Sequence, residues 1–399
     1  MKKKVLFIAN FTSLPWEDGN SRFLYIIDLI DKDKYDIELI TSSFLHSEKK
    51  QRINESSKLN LNYKITLLDE PGYKKNVSLK RFYSHKIFAK NVEKYLGTIE
   101  KPDIIYLAIP SLDVAKVVAR YAQKNNIKFI IDIQDLWPEA FKMVFNIPII
   151  SDLIFFPMKK KADYAYSRAD SIIAVSNTYR DRALLVNKKY KDKLAIYLGT
   201  DFDKFDEAKK KFEIKYTDDV VRLAYIGTLG HSYDIKCVID SLKILKKQGI
   251  NNILFMLMGD GPLRDEFEVY AKQEDIDCDF TGRLNYEEMV GKLCSCDIAI
   301  NPIVKGSAGS IVNKVGDYAA AGLPVLNTQE SKEYRDLVRD YEIGYNVECM
   351  DSEDLAEKMK ILYNDKDLRK RLGQNNRKLG EEKFNRKNSY LKIKEIIEN

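Results

Sequence analysis

The chain has 399 residues, of which 45% are hydrophobic and 32% charged, and its formal net charge is +6. This length exceeds what one hydrophobic core usually supports, so we expect two folded domains rather than one domain or a disordered chain. The longest apolar region, Phe145 to Met158, is interrupted by two prolines, a serine and an aspartate, so it falls short of the roughly 20 apolar residues that a spanning helix needs.

The five cysteines and three histidines show no spacing typical of a metal site, which makes a zinc enzyme improbable. An odd number of cysteines in a large chain without an evident secretion signal favours reduced thiols and a cytoplasmic location. The apolar run after the basic start at Met1 is short and is cut by Asn10, so we interpret it as a first buried strand.

Apolar segments rich in β-branched residues alternate with amphipathic helical patterns along the whole chain, which indicates parallel α/β layering. The first series of predicted strands is Val5–Ala9, Ile37–Thr41, Tyr63–Leu67, Ile104–Ala108, Phe129–Ile133, Ser171–Val175 and Leu194–Tyr197. The second is Arg222–Ile226, Ile253–Met258, Cys278–Thr281, Ile298–Ile300 and Val325–Leu326. The polar segment from Gly199 to Val220 is predicted to be the linker. We therefore expect one domain over 1–201 and a second over 202–384, with a last helix at about 385–399 that packs on either.

Two basic segments in the first half interleave their charge with aromatic residues. Tyr73 to Lys94 holds seven Lys or Arg against one Glu, and Lys142 to Lys193 holds eleven against five Asp. Such a surface suits anionic lipid headgroups, although a solvated helix face in a lysine-rich protein explains the charge equally well. No nucleic-acid-binding motif accompanies it, so nucleic acid is not an expected partner. The aromatic residues involved are Phe82, Tyr83, Phe88, Phe155, Phe156, Tyr164 and Tyr166.

The loops that follow the first and fifth strands carry the candidate residues of the first domain, because ligands of open α/β sheets bind at the carboxyl ends of strands. Gly19 and Asn20 precede a helix, in a position that suits a phosphate or simply a capped helix start. Asp135, Trp137 and Glu139 follow the fifth strand, where a carboxylate could bond sugar hydroxyls and an indole could cover a sugar face. A helix that starts at Pro138 is compatible with both roles.

Glycines recur at the strand ends of the second domain. Gly227 and Gly230 follow its first strand, Gly259 and Gly261 its second, and Gly282, Arg283 and Leu284 its third. Each loop is weak evidence alone, but together they predict a site in which backbone N–H groups hold a diphosphate and a flat base lies on exposed backbone.

The segment from Cys296 to Asn327 is the most informative part of the chain. It predicts a strand, a Gly- and Ser-rich loop, a helix that opens at Ser310, and a second strand at Pro324. The helix start would attract an anion, Lys314 would add a full positive charge, and Asp317 could accept hydrogen bonds from a ribose. These features together suggest a nucleotide-sugar site.

The motifs YIGTLG, MGDGP, FTGRL, CDIAINP and NKVGDYAAAGLPVL resemble, over nearly the whole chain, the retaining group 1 (family four) glycosyltransferases. SRADSIIAVSNTYRDRAL and YLGTDFDKF support the resemblance, and IQDLWPE resembles the bacterial polysaccharide and O-antigen branch. The resemblance implies an α/β fold of the GT-B type, in which two Rossmann-like doubly wound domains face each other across a cleft.

It also implies which residues bind the donor. Gly227, Thr228, Leu229 and Gly230 would contact the diphosphate, Gly282 to Leu284 would frame the base, and Ser310, Ile311, Lys314 and Val315 would hold the phosphates. The family often has two glutamates where this chain has Gly309 and Asp317, so backbone groups at Gly309 and Ser310 would contact the hexose. An arginine and a lysine common after the first second-domain strand are missing, with Thr228 in the arginine place, and Arg283, Lys236 or Lys292 could compensate.

The activity implied by the resemblance is transfer of a hexose or N-acetylhexosamine from a nucleoside diphosphate sugar, expected to be UDP-linked, to a sugar hydroxyl with retention. The expected acceptor is lipid-linked or an oligosaccharide, in capsule, O-antigen or exopolysaccharide synthesis at the inner face of the membrane. Lys314 would stabilise the leaving diphosphate, Asp135 would orient a sugar, and neither metal nor other cofactor is expected. A nucleotide-sugar 2-epimerase, which uses acidic and histidine residues not found here, and a non-catalytic nucleotide-sugar-binding protein are the alternatives.

Overall fold

Two parallel β-sheets organise the chain. The computed structural model describes residues 2–17, 19, 21–76, 78–144, 147, 150–212, 214–307 and 310–399. These residues divide into two compact units, one formed by Met1–Ile196 with Tyr390–Asn399 and one by Tyr197–Ser389. Each unit contains one sheet with helices between successive strands.

The first unit contains a seven-stranded parallel sheet of order β5-β2-β1-β6-β7-β8-β9 and a small antiparallel β3-β4 pair. Its strands are β1 (Lys3–Ile8), β2 (Tyr35–Ser42), β3 (Phe44–Leu45), β4 (Lys50–Gln51), β5 (Lys64–Leu68), β6 (Ile104–Ile109), β7 (Lys128–Ile133), β8 (Ser171–Ala174) and β9 (Asp192–Ala195). Its helices are α1 (Arg22–Leu29), α2 (Leu79–Leu96), α3 (Leu112–Asn125), α4 (Glu139–Val144), α5 (Ile150–Arg168) and α6 (Asn177–Leu184).

The second unit contains a six-stranded parallel sheet of order β12-β11-β10-β13-β14-β15. Its strands are β10 (Val221–Ile226), β11 (Ile253–Met258), β12 (Cys278–Gly282), β13 (Ile298–Asn301), β14 (Val325–Asn327) and β15 (Gly344–Asn346). Its helices are α7 (Phe202–Phe212), α8 (Ile235–Lys247), α9 (Arg264–Gln273), α10 (Tyr286–Cys294), α11 (Lys314–Ala321), α12 (Lys332–Asp340), α13 (Ser352–Asn364), α14 (Lys366–Leu379) and α15 (Arg386–Ser389).

The last helix, α16 (Leu391–Glu398), belongs to the first unit. Its apolar side chains Ile393, Ile396 and Ile397 are buried in the same cluster as the residues of β1 and α1. Arg22 forms a fully buried ion pair with Asp132 on β7, with Nε and Oδ2 2.7 Å apart, and its guanidinium lies over the ring of Tyr390. Loss of one partner would leave the other charge unpaired in the core, at a cost of about 3–5 kcal/mol.

The segment predicted to be the linker is instead helical over half of its length, from Phe202 to Phe212. Phe202, Phe205 and Ala208 on α7 are buried, and they pack in the cluster that contains Tyr318 of α11. Their spacing places them on one side of a helix, a pattern that the high charge of the surrounding sequence obscures. The sequence patterns also missed the edge strand β15, because its three residues are too few to show a period.

Candidate active site

The second sheet reverses its strand order between β10 and β13. These two strands pair with each other, Leu223 with Ile298 and Ala224 with Ala299, and each pairs on its other side with the next strand of its own half. Ligands of open parallel sheets bind at such a switch point, beyond the carboxyl ends of the strands. A pocket of about 500 Å³ lies there. Its lining comprises Ile226, Gly227, Thr228, Tyr233, Met258, Met289, Val312, Asn313, Lys314 and Asp317.

Lys314 is the charged group at the centre of this site. Its side chain is buried, with 7% of the residue exposed, and its Nζ atom has no hydrogen-bond partner among the described residues. Nζ lies 3.9 Å from the ring centroid of Tyr225 and 3.8 Å from that of Tyr233. Burial lowers the pKa of Lys314 well below its usual value. The amine therefore has its N–H groups available to an anionic ligand.

The helix that carries Lys314 begins later than the sequence suggests. We predicted a helix that opens at Ser310, but α11 begins at Lys314 with Asn313 as its cap residue. The side-chain amide of Gln329 donates a hydrogen bond to the carbonyl of Ser310, and Ile311 packs into an apolar cluster with Val315 and Tyr334. These contacts hold residues 310–312 out of the helix, so Lys314 lies in the first turn rather than one turn in.

A glycine at position 227 permits the close approach of the lysine. A Cβ atom there would lie 3.3 Å from Lys314 Nζ, and the backbone of Gly227 has a φ of +129°. Both facts disfavour a side chain at this position. Gly227 is thus required beside the charged group itself.

Several of the other glycines are explained by the packing of loops against one another. A Cβ on Gly259 would lie 1.8 Å from the carbonyl oxygen of Gly227, and one on Gly261 would lie 2.3 Å from that of Leu229. Gly282 is buried and forms an isolated β-bridge with Gly259. A Cβ on Gly282 would lie 3.1 Å from Arg264 Nη1. The expected exposed backbone at Gly282 is therefore covered by Arg264, a residue that the sequence analysis did not single out.

The backbone of the 227–230 loop is only partly free. The N–H groups of Gly227 and Leu229 donate to the carbonyls of Met258 and Asp260, each at 3.0 Å. The N–H groups of Thr228 and Gly230 bond no other part of the described chain. Thr228 is exposed, whereas the side chain of Leu229 is fully buried in the core. Two amides, rather than the whole loop, remain available to a diphosphate.

Asp317 lies one turn after Lys314 and is held by two hydroxyl groups. Thr200 Oγ1 donates to its Oδ1 at 2.8 Å and Tyr286 Oη donates to the same atom at 3.2 Å. Burial raises the pKa of Asp317. Gly316 provides the space for Thr200, since a Cβ there would be 2.8 Å from Thr200 Oγ1. The carboxylate is positioned by its neighbours at one oxygen atom.

The remaining predicted donor residues have different environments. Ser310 is buried, and its Oγ has no partner among the residues described, whereas Ile311 and Val315 pack in the core. Arg283 is exposed, and Leu284 packs against the core of this unit. Gly309 lies outside the described residues.

Two of the three cations proposed as compensation are engaged elsewhere. Lys236 Nζ lies 2.6 Å from Glu266 Oε1, and Lys292 Nζ lies 3.5 Å from Asp279 Oδ2. Neither residue lines the pocket, but Lys314 does. Of the residues that line the pocket, Lys314 is the basic one, and its Nζ lies 3.3 Å from where a Cβ of Gly227 would be.

In the first unit, Asp135 and Trp137 form a hydrogen-bonded pair. The indole Nε1–H of Trp137 donates to Asp135 Oδ2 at 3.0 Å. Burial raises the pKa of Asp135. We expected the indole to be open to a sugar, but Trp137 is only 5% exposed and stacks on His85, with ring centroids 5.7 Å apart. Its observed contact is with the carboxylate, which it orients.

Of the other three residues predicted on the acceptor side, two have structural contacts. Glu139 is at the start of α4 and pairs with Arg182. Gly19 has a φ of +139°, and a Cβ there would lie 2.4 Å from Ser13 Oγ. The side chain of Ser21 caps α1 by accepting a hydrogen bond from the N–H of Leu24. A capped helix start was one of the two alternatives predicted for this loop. Asn20 lies outside the described residues.

A cluster of basic and aromatic side chains beside Trp137 was missed from sequence. Arg81 lies over the ring of Trp137 at 4.6 Å, and His46 bonds Tyr73 Oη. Burial lowers the pKa of His46 to about 4 and that of His85 to about 3. The two histidines are 39 positions apart in sequence, and only the fold brings them together, so no local pattern could reveal them.

The second unit thus places a buried lysine and a carboxylate at the switch point of a parallel sheet. The fold of the chain is the GT-B fold of solved glycosyltransferase structures. The Anabaena protein HepE, solved in complex with UDP, superposes with a TM-score of 0.68 and 15% sequence identity, and the match covers 100% of both chains.

Residues 205–379 match the model of the glycosyl transferases group 1. The chain is 24% identical over 300 residues to the Staphylococcus aureus capsular polysaccharide biosynthesis glycosyltransferase CapM, which covers 71% of this chain and 73% of CapM. It is 28% identical over 155 residues, 38% of this chain and 41% of the relative, to a Campylobacter jejuni alpha-1,4-N-acetyl-D-galactosaminyltransferase. The protein is a glycosyltransferase, and its residues 205–379 are similar to the glycosyl transferases group 1.

Proposed function

We propose that this protein transfers a hexose or N-acetylhexosamine from a UDP-linked donor to a hydroxyl of a lipid-linked glycan, with retention at the anomeric carbon, in bacterial polysaccharide synthesis. The observation that carries the proposal is the unpaired amine of Lys314 in the switch-point pocket. A buried amine without a partner is costly in the free protein and becomes favourable when a diphosphate lies beside it.

In this proposal the unit that holds Lys314, Tyr197–Ser389, binds the donor. The diphosphate lies against Lys314 and the free amides of Thr228 and Gly230, and the ribose lies beside Asp317. As the glycosidic bond breaks, negative charge grows on the leaving diphosphate, and Lys314 stabilises it. The chemistry does not require a metal ion, because the ammonium takes the role that a cation has elsewhere.

The acceptor occupies the first unit in this proposal, with Asp135 as the residue that orients a sugar hydroxyl. The leaving diphosphate takes the acceptor proton on the face at which the new bond forms, so the configuration is retained. The UDP donor is supported by the complex of HepE with UDP, and a lipid-linked glycan by the undecaprenol-linked substrate in the name of the Campylobacter relative. The polysaccharide role is supported by the name of CapM.

The test is a panel of UDP-sugars incubated with the protein and a synthetic polyprenyl-diphosphate glycan. Acceptor-dependent release of UDP is expected with one sugar, in the presence of EDTA, and the NMR coupling constant of the new linkage is expected to match that of the donor. Release of UDP that does not depend on an acceptor, a product with inverted configuration, or loss of activity in EDTA would overturn the corresponding part of the proposal.

A further inference from the structure

Large apolar side chains are exposed together at the start of α5. Leu153 is 76% exposed, Ile154 54%, Ile150 50% and Phe156 48%. Single exposed apolar residues are common on soluble proteins, but four of this size within seven positions form a patch of the kind that marks an interaction site. Lys160 lies over the ring of Phe156 at 4.5 Å, which places a positive charge beside the patch.

Helix α2 presents an exposed stripe that is apolar at its start and basic further along. Leu79 is 86% exposed and Tyr83 61%, and Lys86 and Lys90 continue the same side of the helix at spacings of three and four residues. Neither lysine forms an ion pair with any residue that the structure describes. The stripe therefore has positive charge that the protein itself leaves unneutralised.

The two exposed regions are joined by a ladder of aromatic rings. Phe141 on α4 lies 5.8 Å from Phe82 on α2 and 6.0 Å from Phe155 on α5, measured between ring centroids. The same ring lies 4.9 Å from that of Trp137, which bonds Asp135. Helix α2 follows the parallel strand β5, and α4 and then α5 lie between the parallel strands β7 and β8, so both exposed regions follow the carboxyl end of a strand. The exposed regions and the acceptor residues thus share one edge of the first unit.

We propose that Leu79, Tyr83, Lys86 and Lys90 with Ile150, Leu153, Ile154 and Phe156 form a single docking face for a bilayer that contains anionic lipid. The apolar side chains enter the headgroup region and the lysines contact lipid phosphates. Unneutralised lysines favour anionic lipid over a second copy of the chain, because a two-fold contact through this face would bring like charges together. The role of the face in presenting a lipid-linked acceptor to Asp135 rests on the proposed function.

The experiment is flotation of the full-length protein with vesicles of phosphatidylglycerol and phosphatidylcholine, compared with phosphatidylcholine alone. The wild type is expected to float with the anionic vesicles at low salt. The double variant Leu153→Glu with Ile154→Glu is expected to show a bound fraction at least about tenfold smaller. Lys86→Glu with Lys90→Glu is expected to weaken binding by a similar factor at low salt and to have less effect at high salt.

Matched controls come from the end of α6, which lies at the opposite edge of the same sheet. Leu185 is 70% exposed there, and Lys188 and Lys189 are exposed. Leu185→Glu is the control for Leu153→Glu alone, and Lys188→Glu with Lys189→Glu changes the charge as much as Lys86→Glu with Lys90→Glu does. Both controls are expected to float like the wild type. Melting temperatures of all variants establish that each is folded.

Activity is measured separately with a water-soluble glycan acceptor. Docking variants that lose flotation but keep this activity support the docking face, whatever the result for the lipid-linked substrate. A wild type that does not float at low salt, or docking variants that float as the controls do, would refute the face and leave the proposed transferase activity standing. Absence of transfer with any acceptor would refute the proposed function and not the docking face.

Discussion

The Nζ atom of Lys314 lies 3.8 Å from the ring centroid of Tyr233, and no described residue offers it a hydrogen bond. Two opposing effects act on this amine. Removal from water disfavours the ammonium form, whereas the faces of Tyr225 and Tyr233 favour it. The net effect lowers its pKa, so the free protein is destabilised at the residue that we propose binds the donor.

Replacement of Lys314 by Met is expected to separate stability from activity. Methionine fills a similar volume without a buried amine, so the melting temperature at pH 7 should increase by about 2–5 °C. Turnover should fall by about 100- to 1,000-fold, because the developing charge on the diphosphate loses its cation. Calorimetric unfolding and UDP release measure the two effects.

The stability gain should depend on pH with a defined sign. The folded-state pKa of Lys314 is below the usual lysine value of 10.5, so at a pH between these two values the unfolded chain binds one more proton than the folded chain. The stability of the wild type therefore increases with pH in this window, and the advantage of the Met variant should shrink as pH approaches 10. An advantage that is constant from pH 7 to pH 10, or a variant less stable than the wild type at pH 7, would contradict this account.

Donor binding is expected to take up a proton. A bound diphosphate stabilises the ammonium form of Lys314, so its pKa rises on binding and a proton is drawn from solvent at any pH above the free-protein value. The groups around the amine are Tyr225 and Tyr233, with Asp317 one turn further on the same helix. Affinity for UDP should thus decrease as pH rises above the pKa of Lys314 in the free protein.

Calorimetry of UDP binding at pH 8, in buffers of different ionisation enthalpy, measures this proton directly. At that pH UDP itself is fully ionised, and the observed heat should vary with the buffer for the wild type. The Lys314→Met variant retains Asp317 and both tyrosines and should show a much smaller dependence. Equal buffer dependence in the two proteins would assign the proton to another group.

The parallel α/β layering of both sheets follows from the alternation of apolar strands and amphipathic helices, and the GT-B fold is the one that the resemblance implied. The sequence does not distinguish a glycine that lies in the pocket from one that packs against a neighbouring loop. Gly227 lies beside Lys314, whereas Gly259 lies against the backbone of Gly227. Both follow strands in the same local pattern, and only the distance between two loops far apart in sequence distinguishes them.

The environment of Lys314 could not be predicted from the sequence either. Its importance was evident from the loop that precedes it, but the aromatic pair that surrounds it comes from β10 and from the loop before α8. The same holds for Trp137, whose burial against His85 and Arg81 depends on α2. Contacts of this kind arise from tertiary packing, which leaves no period in the local sequence.

The distinction between the glycines can be tested with alanine. Gly259→Ala should prevent the second unit from folding, because the new Cβ would lie 1.8 Å from a carbonyl oxygen and the φ of +158° is strained for alanine. Gly230→Ala is the matched control, since its nearest contact would be 3.7 Å from Thr228 Cγ2 and its φ is not positive. Circular dichroism and solubility compare them, and a stable Gly259→Ala protein would refute the packing explanation.

Asp317 is expected to contribute to donor affinity through a carboxylate that two hydroxyl groups position. Asp317→Asn should raise the KM for the donor by about tenfold with a smaller change in kcat, as expected for loss of a ribose hydrogen bond. Tyr286→Phe removes the hydroxyl that donates at 3.2 Å and keeps the ring, so it should raise KM by a smaller factor. A Tyr286→Phe effect larger than that of Asp317→Asn would show that the hydroxyl acts independently of the carboxylate.

Asp135 is expected to act on the acceptor, with Trp137 as the residue that orients it. Asp135→Asn should lower kcat by at least about 100-fold and leave the affinity for UDP unchanged, because Asp135 is proposed to act on the acceptor and UDP belongs to the donor.

Trp137→Phe keeps an aromatic ring for packing against His85 and removes only the Nε1–H that donates to Asp135 at 3.0 Å. It should lower kcat by about 10-fold, and since the hydrogen bond favours the ionised carboxylate, its loss should move the acidic limb of the pH–rate profile to higher pH. Fluorescence titration with UDP and steady-state kinetics across pH 5 to 8 measure both effects, and an unchanged profile in Trp137→Phe with normal kcat would leave the indole only a packing role.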